Sequence, residues 1–188
     1  MKKITLALCL LVAVSSWAQE KFTPAIKQGT KLKYSAFVDG QTFPCIFSFD
    51  SVNTGYLKVG WTVEGYGSGA WIMKNKSLES ASKGFWGQPS PGAQEEVPDD
   101  QSILVFSKAQ WDMLQKENKL NFDQQTFTVK TPSEQQQLKL AGKPVDAFFL
   151  ENPNGTTRIW ILNNAAYPVM LKIEGNTLGA DLTVNSVE

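Results

Sequence analysis

The sequence predicts a mainly β fold with a minor helical part. The expected architecture is a curved antiparallel sheet, or half-barrel, with one packed helix at about 107–118 and a long irregular insertion at about 75–100. Short segments of alternating apolar and polar residues recur along the chain, separated by turn residues, and this pattern is typical of strands. A single capped amphipathic segment interrupts the alternation and indicates the helix.

The first 18 residues have the pattern of a secretory signal peptide. Lys2 and Lys3 give a positive start, the run Ile4–Val14 is apolar, and Ala18 supplies a small residue at the expected cleavage site. The apolar run is shorter than the roughly 20 residues of a membrane-spanning helix. We therefore expect a signal peptide at 1–18, cleaved after Ala18. Residues 19–188 would form a single β-rich domain, periplasmic or secreted and not an integral membrane protein.

An antiparallel meander of three strands is predicted after the signal peptide. Asp39-Gly40 and Asn53-Thr54-Gly55 are typical turn sequences. Because side chains alternate between the two faces of a strand, the flanking segments each have one apolar face. The residues of these faces are Leu32, Tyr34, Ala36 and Val38, then Phe43, Cys45, Phe47 and Phe49, then Leu57, Val59, Trp61 and Val63.

The glycine-rich segment 65–69 is predicted to turn the chain into a fourth strand, Ala70–Lys74. A phosphate-binding loop requires a helix that begins directly after its glycines. The residues after Gly69 are typical of an extended strand instead, so no nucleotide site is expected here.

Residues 75–100 alternate poorly and contain three prolines and three glycines. A short helix at Ser77–Ser82 is the one regular element that the pattern suggests. Long segments of this kind are either functional lids or mobile loops. The acidic end, 95–100, matches no calcium-binding spacing, so a solvated acidic turn is expected there.

A short strand at Ile103–Phe106 is predicted to lead into the helix. Ser107 and Gln110 form a capping-box pair, and Phe106 and Trp111 are placed to form a hydrophobic staple. Asn118 is the expected end of the helix.

Alternation resumes after the helix and predicts the remaining strands, for a total of about ten. Asn152–Gly155 is a strong turn sequence, and Arg158–Leu162 is apolar on both faces, as expected of a covered or central strand. A last hairpin is expected around Gly175-Asn176. The apolar positions that define these strands are Leu120, Phe122, Phe127, Val129, Leu138, Leu140, Val145, Ala147, Phe149, Val169, Leu171, Ile173, Ala180, Leu182 and Val184.

Composition excludes several chemistries. The chain has no histidine, which rules out histidine-based catalytic triads and histidine-ligated zinc. The 18 basic residues balance the 18 acidic ones, so the concentrated positive charge of a nucleic-acid-binding protein is absent. Cys45 is the one cysteine outside the signal peptide, and we interpret it as a small buried apolar residue.

No catalytic residue, cofactor or metal site can be assigned from the sequence. A carboxylate-dependent hydrolase of the glycosidase kind would need a pair of converging carboxylates. Acidic residues are present, but the outward faces of strands ordinarily carry such groups. The candidates are Asp50, Glu64, Asp99, Asp100 and Asp146.

Aromatic residues are the strongest candidates for a binding site. Aromatic rings on a sheet can stack on sugars or line an apolar pocket, although most tryptophans fill cores. Trp86 is different because it lies beside Phe85 in the irregular insertion, where no strand requires it. We therefore take Phe85, Trp86 and Trp71 as candidate ligand-binding residues.

The C-terminal third resembles uncharacterised envelope proteins of Gram-negative bacteria. The segments that carry the resemblance are 158–164, RIWILNN, and 167–173, YPVMLKI. The resemblance implies a curved sheet wrapped around helix, similar to periplasmic lipoprotein carriers, and it transfers no catalytic residue to this chain.

Together these features predict an exported envelope protein that binds an apolar or amphipathic ligand without catalysis. Its expected partner is a lipid or other apolar small molecule, or an envelope protein, and not a nucleic acid. Two alternatives remain open: a carboxylate-dependent hydrolase and a protein–protein interaction module of the cell envelope.

Overall fold

The computed structural model describes residues 21–53 and 55–188, and the predicted signal peptide at 1–18 lies outside them. The helices are α1 (Asn75–Ser80) and α2 (Lys108–Glu117), and a 3-10 turn covers Glu134–Gln136. The strands are β1 (Lys31–Val38), β2 (Gln41–Asn53), β3 (Tyr56–Val63), β4 (Gly67–Lys74), β5 (Lys83–Gly84), β6 (Gln94–Glu96), β7 (Gln101–Ser102), β8 (Lys119–Phe122), β9 (Gln125–Lys130), β10 (Lys139–Leu140), β11 (Lys143–Pro144), β12 (Ala147–Glu151), β13 (Arg158–Leu162), β14 (Met170–Glu174) and β15 (Asp181–Val187).

Eleven strands form one large curved sheet, which confirms the predicted fold class. Their order is β6-β4-β3-β2-β1-β15-β14-β13-β12-β9-β8. All neighbouring strands in this sheet are antiparallel except β4 and β6, which are parallel. Two pairs of two-residue strands, β10 with β11 and β5 with β7, lie outside it.

The meander follows the predicted alternation. Val38 pairs with Gln41 across a two-residue turn in which Asp39 and Gly40 both have positive φ, as a type I′ hairpin turn requires. The inner face of the sheet continues through directly paired residues. Tyr34 pairs with Cys45, and Phe47 pairs with Trp61.

The inner face is covered by the two helices and by the chain between them. α1 contacts β3, β4 and α2, and α2 contacts β8. Buried residues of the sheet and of the segment 103–106 belong to one hydrophobic core. Tyr34 crosses this core from β1 to β14, where its hydroxyl donates to the carbonyl oxygen of Met170 at 2.5 Å.

The outer face of β13 is also covered, as its double-sided apolar pattern predicts. Trp160 points away from the inner-face residues Ile159 and Ile161, and its Nε1–H donates to the carbonyl oxygen of Gln136 at 2.8 Å. Phe149 on β12 packs against Trp160 with ring centroids 4.9 Å apart. The connection 131–146 therefore forms a second, smaller apolar layer outside the sheet.

Helix α2 begins and ends at the predicted residues. Ser107 is the N-cap, and its capping box with Gln110 is present in both directions. Asn118 ends the helix in the left-handed conformation. Gln110 has a further role, because its side chain donates to the carbonyl oxygen of Asn121 on the edge strand β8. This bond occupies a backbone acceptor that an edge strand would otherwise expose.

Several predicted boundaries were wrong. Ile103–Phe106 is not a strand but a bend, with one isolated bridge from Val105 to Val169, and the strand precedes it as β7. The fourth strand begins at Gly67 rather than Ala70, because β3 pairs with β4 as far as Val63 and Gly67. The insertion 75–100 contains α1, β5 and β6, and the helix in it covers Asn75–Ser80 rather than 77–82.

Candidate functional site

A small apolar cavity lies on the inner face of the sheet. Its volume is about 10 Å³, which is room for about one water molecule. Its walls come from the insertion, the bend at 103–106, β8, β14 and β15. The lining residues are Gly84, Phe85, Trp86, Ser102, Ile103, Leu104, Val105, Phe106, Phe122, Met170 and Leu182.

One wall of this cavity is formed by Gly84, Phe85 and Trp86, and we call the segment 83–86 the strap. Asp123 holds the strap through both carboxylate oxygens. Its Oδ1 accepts from the backbone N–H of Gly84, and its Oδ2 accepts from Nε1–H of Trp86, each at 2.8 Å. Asp123 can reach both donors because it lies in the tight β8–β9 turn, where it and Gln124 have positive φ.

The indole of Trp86 is partly buried against Gly84, Gly179 and Phe122, which together we call its seat. A Cβ atom at Gly179 would lie 2.6 Å from Cε3 of Trp86, and one at Gly84 would lie 2.5 Å from its Cε2. Phe122 closes the seat with an edge-to-face contact at 6.2 Å between ring centroids. Glycine is required at both positions because any larger residue would displace the ring.

The three predicted ligand-binding residues lie in one region, but only two of them line the cavity. Phe85 and Trp86 line the cavity, whereas Trp71 lies behind Phe85, with the two rings edge to face at 6.1 Å. Trp71 also contacts Trp61 at 5.7 Å and Phe47 at 6.1 Å. The indole nitrogen of Trp71 is buried and has no hydrogen-bond partner.

The floor of the cavity is a strained bend that the sequence did not reveal. Leu104 has a φ of 58°, and the N–H of Val105 donates to the carbonyl oxygen of Ile103 at 2.7 Å. A bond between residues two apart around a positive φ is the rarer, strained kind of γ-turn. Met170 fixes the bend, because its N–H donates to the carbonyl oxygen of Leu104. No glycine or asparagine marks this turn, so no sequence signal was available.

The acidic end of the insertion pairs with lysines along its length. Three ion pairs join Lys74 to Glu96 at 2.6 Å, Lys76 to Asp99 at 3.1 Å and Lys83 to Asp100 at 2.7 Å. The hydrogen bond with Asp100 raises the pKa of Lys83, and the same bond lowers the pKa of Asp100. In 21–53 and 55–188 no three acidic or cysteine side chains form a group that could hold a metal ion.

Of the other carboxylates considered for a hydrolase, Asp50 and Asp146 have polar partners, and Glu64 is exposed at the end of the β3–β4 hairpin. Asp50 accepts from the hydroxyl of Ser48, and Asp146 accepts from the side chain of Asn163 at 3.0 Å. Neither residue lines the inner cavity.

Cys45 is buried, as interpreted from the sequence. It lies on the inner face directly opposite Tyr34. Burial raises the pKa of the thiol to about 11, and burial together with Cys45 raises the pKa of Tyr34 as well. Both side chains are therefore neutral core groups at ordinary pH.

A surface groove lies elsewhere, between the segment 22–30 and the C-terminal residues Val187 and Glu188. Its volume is about 320 Å³, and Lys27 and Glu188 are among its lining residues. None of the predicted binding residues lies in it.

No helix within the described part of the chain is both long and apolar enough to cross a membrane. No protein-family model, curated protein or solved structure matches the chain.

Proposed function

We propose that this protein is a non-catalytic binding protein for an apolar or amphipathic ligand, held on the inner face of the sheet beneath the strap. The observation that carries the proposal is the cavity lined by Phe85 and Trp86 and floored by the bend at 103–106. Nearly every lining side chain is apolar, as in sites for small apolar molecules. With its predicted signal peptide, the protein would act in the periplasm or outside the cell.

The ligand enters by displacing the strap, because the closed cavity has room for about one water molecule only. Sites for small ligands are typically 300 Å³ or larger. Displacing the strap requires breaking two backbone hydrogen bonds, from Lys83 N–H to Asp100 and from Phe85 N–H to Ser102, together with its side-chain contacts. Asp123 binds Gly84 and Trp86, and Lys83 pairs with Asp100 at the surface.

The exposed tip of the β1–β2 hairpin extends the same apolar surface. Phe43 and Val38 continue the inner face beyond the strap, and they are 40% and 39% exposed. Leu178, next to the Gly179 that seats Trp86, is 54% exposed. A ligand longer than the cavity would lie along this surface.

The test is the binding of N-phenyl-1-naphthylamine, an uncharged apolar fluorophore, to the mature protein. We expect saturable binding to the wild type and at least fivefold weaker binding to Trp86→Ala. Trp111→Ala is the matched control, because Trp111 is also partly buried but packs against Phe148 on β12 and does not line the cavity. Its probe affinity should stay within twofold of the wild type.

Denaturant titration of Trp86→Ala distinguishes two roles of this residue: a lid, which only covers the cavity, and a plug, whose indole fills part of the core. A lid should lose less than about 2 kcal/mol of unfolding free energy, whereas emptying a fully buried aromatic site costs about 3–5 kcal/mol. A loss in the upper range together with absent probe binding would contradict the proposal.

A protein–protein interaction module is the second candidate, and one observation favours it. Phe37 lies on the outer face of the hairpin tip and is 49% exposed, so the tip carries apolar surface on both sides. The two candidates predict opposite results for Phe37→Ser. A ligand-binding protein should keep its probe affinity, whereas an interaction module should bind no probe and lose a self- or partner-association measured by sedimentation.

A further inference from the structure

The indole N–H of Trp71 is a hydrogen-bond donor without an acceptor. Trp71 is 4% exposed, and within 21–53 and 55–188 its Nε1 is the buried side-chain nitrogen or oxygen atom that has no partner. Its ring neighbours are Phe47, Trp61 and Phe85, none of which offers an acceptor oxygen. Buried donors are nearly always paired in native proteins, so an exception calls for an explanation.

A second poorly satisfied donor lies close by. The backbone N–H of Ile103 points to the thioether Sδ of Met73 at 3.3 Å, and thioether sulfur is a weak acceptor. Met73 lies two residues after Trp71 on the same face of β4, and both are buried. Two N–H groups in one part of the inner face are therefore left with a weak acceptor or none.

Both donors are adjacent to the candidate binding site. Ile103 lines the cavity, and Phe85, which also lines it, is the ring that covers Trp71. The strap displacement that the proposed function requires would carry Phe85 away from the ring of Trp71. The apolar part of the cavity then continues from Phe106 to Met170 and Leu182.

Resting on the proposed function, we infer that the natural ligand is an acyl chain whose carboxylate or ester carbonyl oxygen accepts a hydrogen bond from Trp71 Nε1–H, with the Ile103 N–H as the second donor. The site supplies donors that need an acceptor, so an oxygen with free lone pairs fits it, and an ammonium or another donor group does not. The chain lies on the apolar walls. Free fatty acids and lipid esters share this chemistry.

The first experiment uses the wild-type protein and needs no variant. The Trp71 indole N–H resonance is followed by ¹H–¹⁵N NMR during addition of decanoic acid, methyl decanoate and decane. We expect a downfield shift of this proton with the acid or the ester and none with decane, because only the first two carry an acceptor. An unchanged resonance on binding of both oxygen-bearing ligands would overturn the inference.

The second experiment measures displacement of N-phenyl-1-naphthylamine by the same three compounds from wild type and Trp71→Phe. Loss of one buried hydrogen bond corresponds to about tenfold in affinity. We expect that loss for decanoic acid, for methyl decanoate or for both, while decane changes by less than twofold. A response to the acid alone indicates a free fatty acid, and a response to the ester indicates a lipid ester. Trp61→Phe, on the neighbouring strand, is the control and should affect all three compounds equally.

The possible failures are distinguishable. If wild type binds neither the probe nor any of the three compounds, the proposed function fails and this inference fails with it. If all three bind equally and Trp71→Phe weakens them equally, the apolar site stands and the role of the indole N–H is disproved. If Trp71→Phe does not fold, the NMR experiment on wild type decides alone.

Discussion

The carboxylate of Asp123 and the indole of Trp86 are joined by a 2.8 Å hydrogen bond that fixes the strap over the inner face of the sheet. The same carboxylate holds the backbone of Gly84. Asp123 thus connects the β8–β9 turn to the strap, which forms one wall of the cavity. A bond to an ionised acceptor is stronger than one between neutral groups.

The coupling between Asp123 and Trp86 can be measured in a double-mutant cycle with Asp123→Asn and Trp86→Phe. Asparagine keeps an acceptor for one donor but turns an amide N–H₂ toward the other, and phenylalanine keeps an aromatic ring without the N–H. We expect a coupling energy of about 1 kcal/mol by urea titration. A value near zero would show that solvent already satisfies the Trp86 N–H.

The seat of Trp86 should be sensitive to a single methyl group. In Gly179→Ala the new Cβ would lie 2.6 Å from Cε3 of Trp86, so the ring must move. We expect a destabilisation of about 1–3 kcal/mol, typical of overpacking, and a changed affinity for N-phenyl-1-naphthylamine. Gly55→Ala is the control, since its Cβ would meet nothing within 4 Å, and it should stay within about 0.5 kcal/mol.

Two tryptophans of similar burial differ in hydrogen bonding and should respond differently to substitution by phenylalanine. Trp160 Nε1–H donates to Gln136, whereas Trp71 Nε1–H has no acceptor. Trp160→Phe leaves a carbonyl without its donor, and Trp71→Phe removes a donor that was unpaired. We expect Trp160→Phe to cost about 1–2 kcal/mol more in urea titrations. Equal losses would mean that Trp71 has an acceptor in solution, such as a bound water.

Stability should fall at alkaline pH, in part because of Cys45. Burial raises the pKa of this thiol from 9.0 to about 11 in the folded chain. The unfolded chain therefore releases the proton first. The stabilisation is fully present below pH 9 and is lost as the pH rises toward 11. Cys45→Ala should show a shallower decline of unfolding free energy over this range, and the remaining decline includes contributions from Tyr34 and Lys83, whose pKa values are also raised in the folded chain. An identical decline in both proteins would contradict the assignment.

The strands could be predicted from the sequence where the alternation is long enough to specify a buried face. The meander from Lys31 to Val63 satisfies this condition, and so does the final hairpin. The capping box of Ser107 and Gln110 is a local signal, and it fixed the helix start for the same reason. These features depend on residues that are close in the sequence.

The errors occur where distant contacts set the backbone. The bend at Leu104 is held by Met170, but its apolar residues have the sequence pattern of a strand and no glycine marks the turn. Asp123 was missed altogether, since its two partners lie 39 and 37 residues earlier in the chain. Phe85 and Trp86 could be selected only because an aromatic pair is unusual in an irregular segment.

The strain at Leu104 can be tested by comparing the stabilities of Leu104→Ala and Leu104→Gly. Glycine is normally the more destabilising of the two, and a positive φ should remove or reverse that difference. Leu104→Ala loses a buried side chain and keeps the unfavourable φ of 58°, so it should cost about 2–5 kcal/mol. Glycine loses the same side chain but adopts positive φ without steric cost, which is worth about 1–2 kcal/mol. That gain outweighs the roughly 0.5–1 kcal/mol by which glycine normally destabilises relative to alanine. Leu104→Gly should therefore be at least as stable as Leu104→Ala.

Leu120 on β8 provides the matched pair for this test, because it is fully buried in a regular strand and has no positive φ. There, glycine should be less stable than alanine by about 1 kcal/mol in the same urea titrations. If the two substitutions rank in the same order at both positions, Leu104 is not strained in solution. If the order reverses at Leu104 alone, the cavity floor holds backbone strain that a bound ligand could release by letting the bend at 103–106 relax.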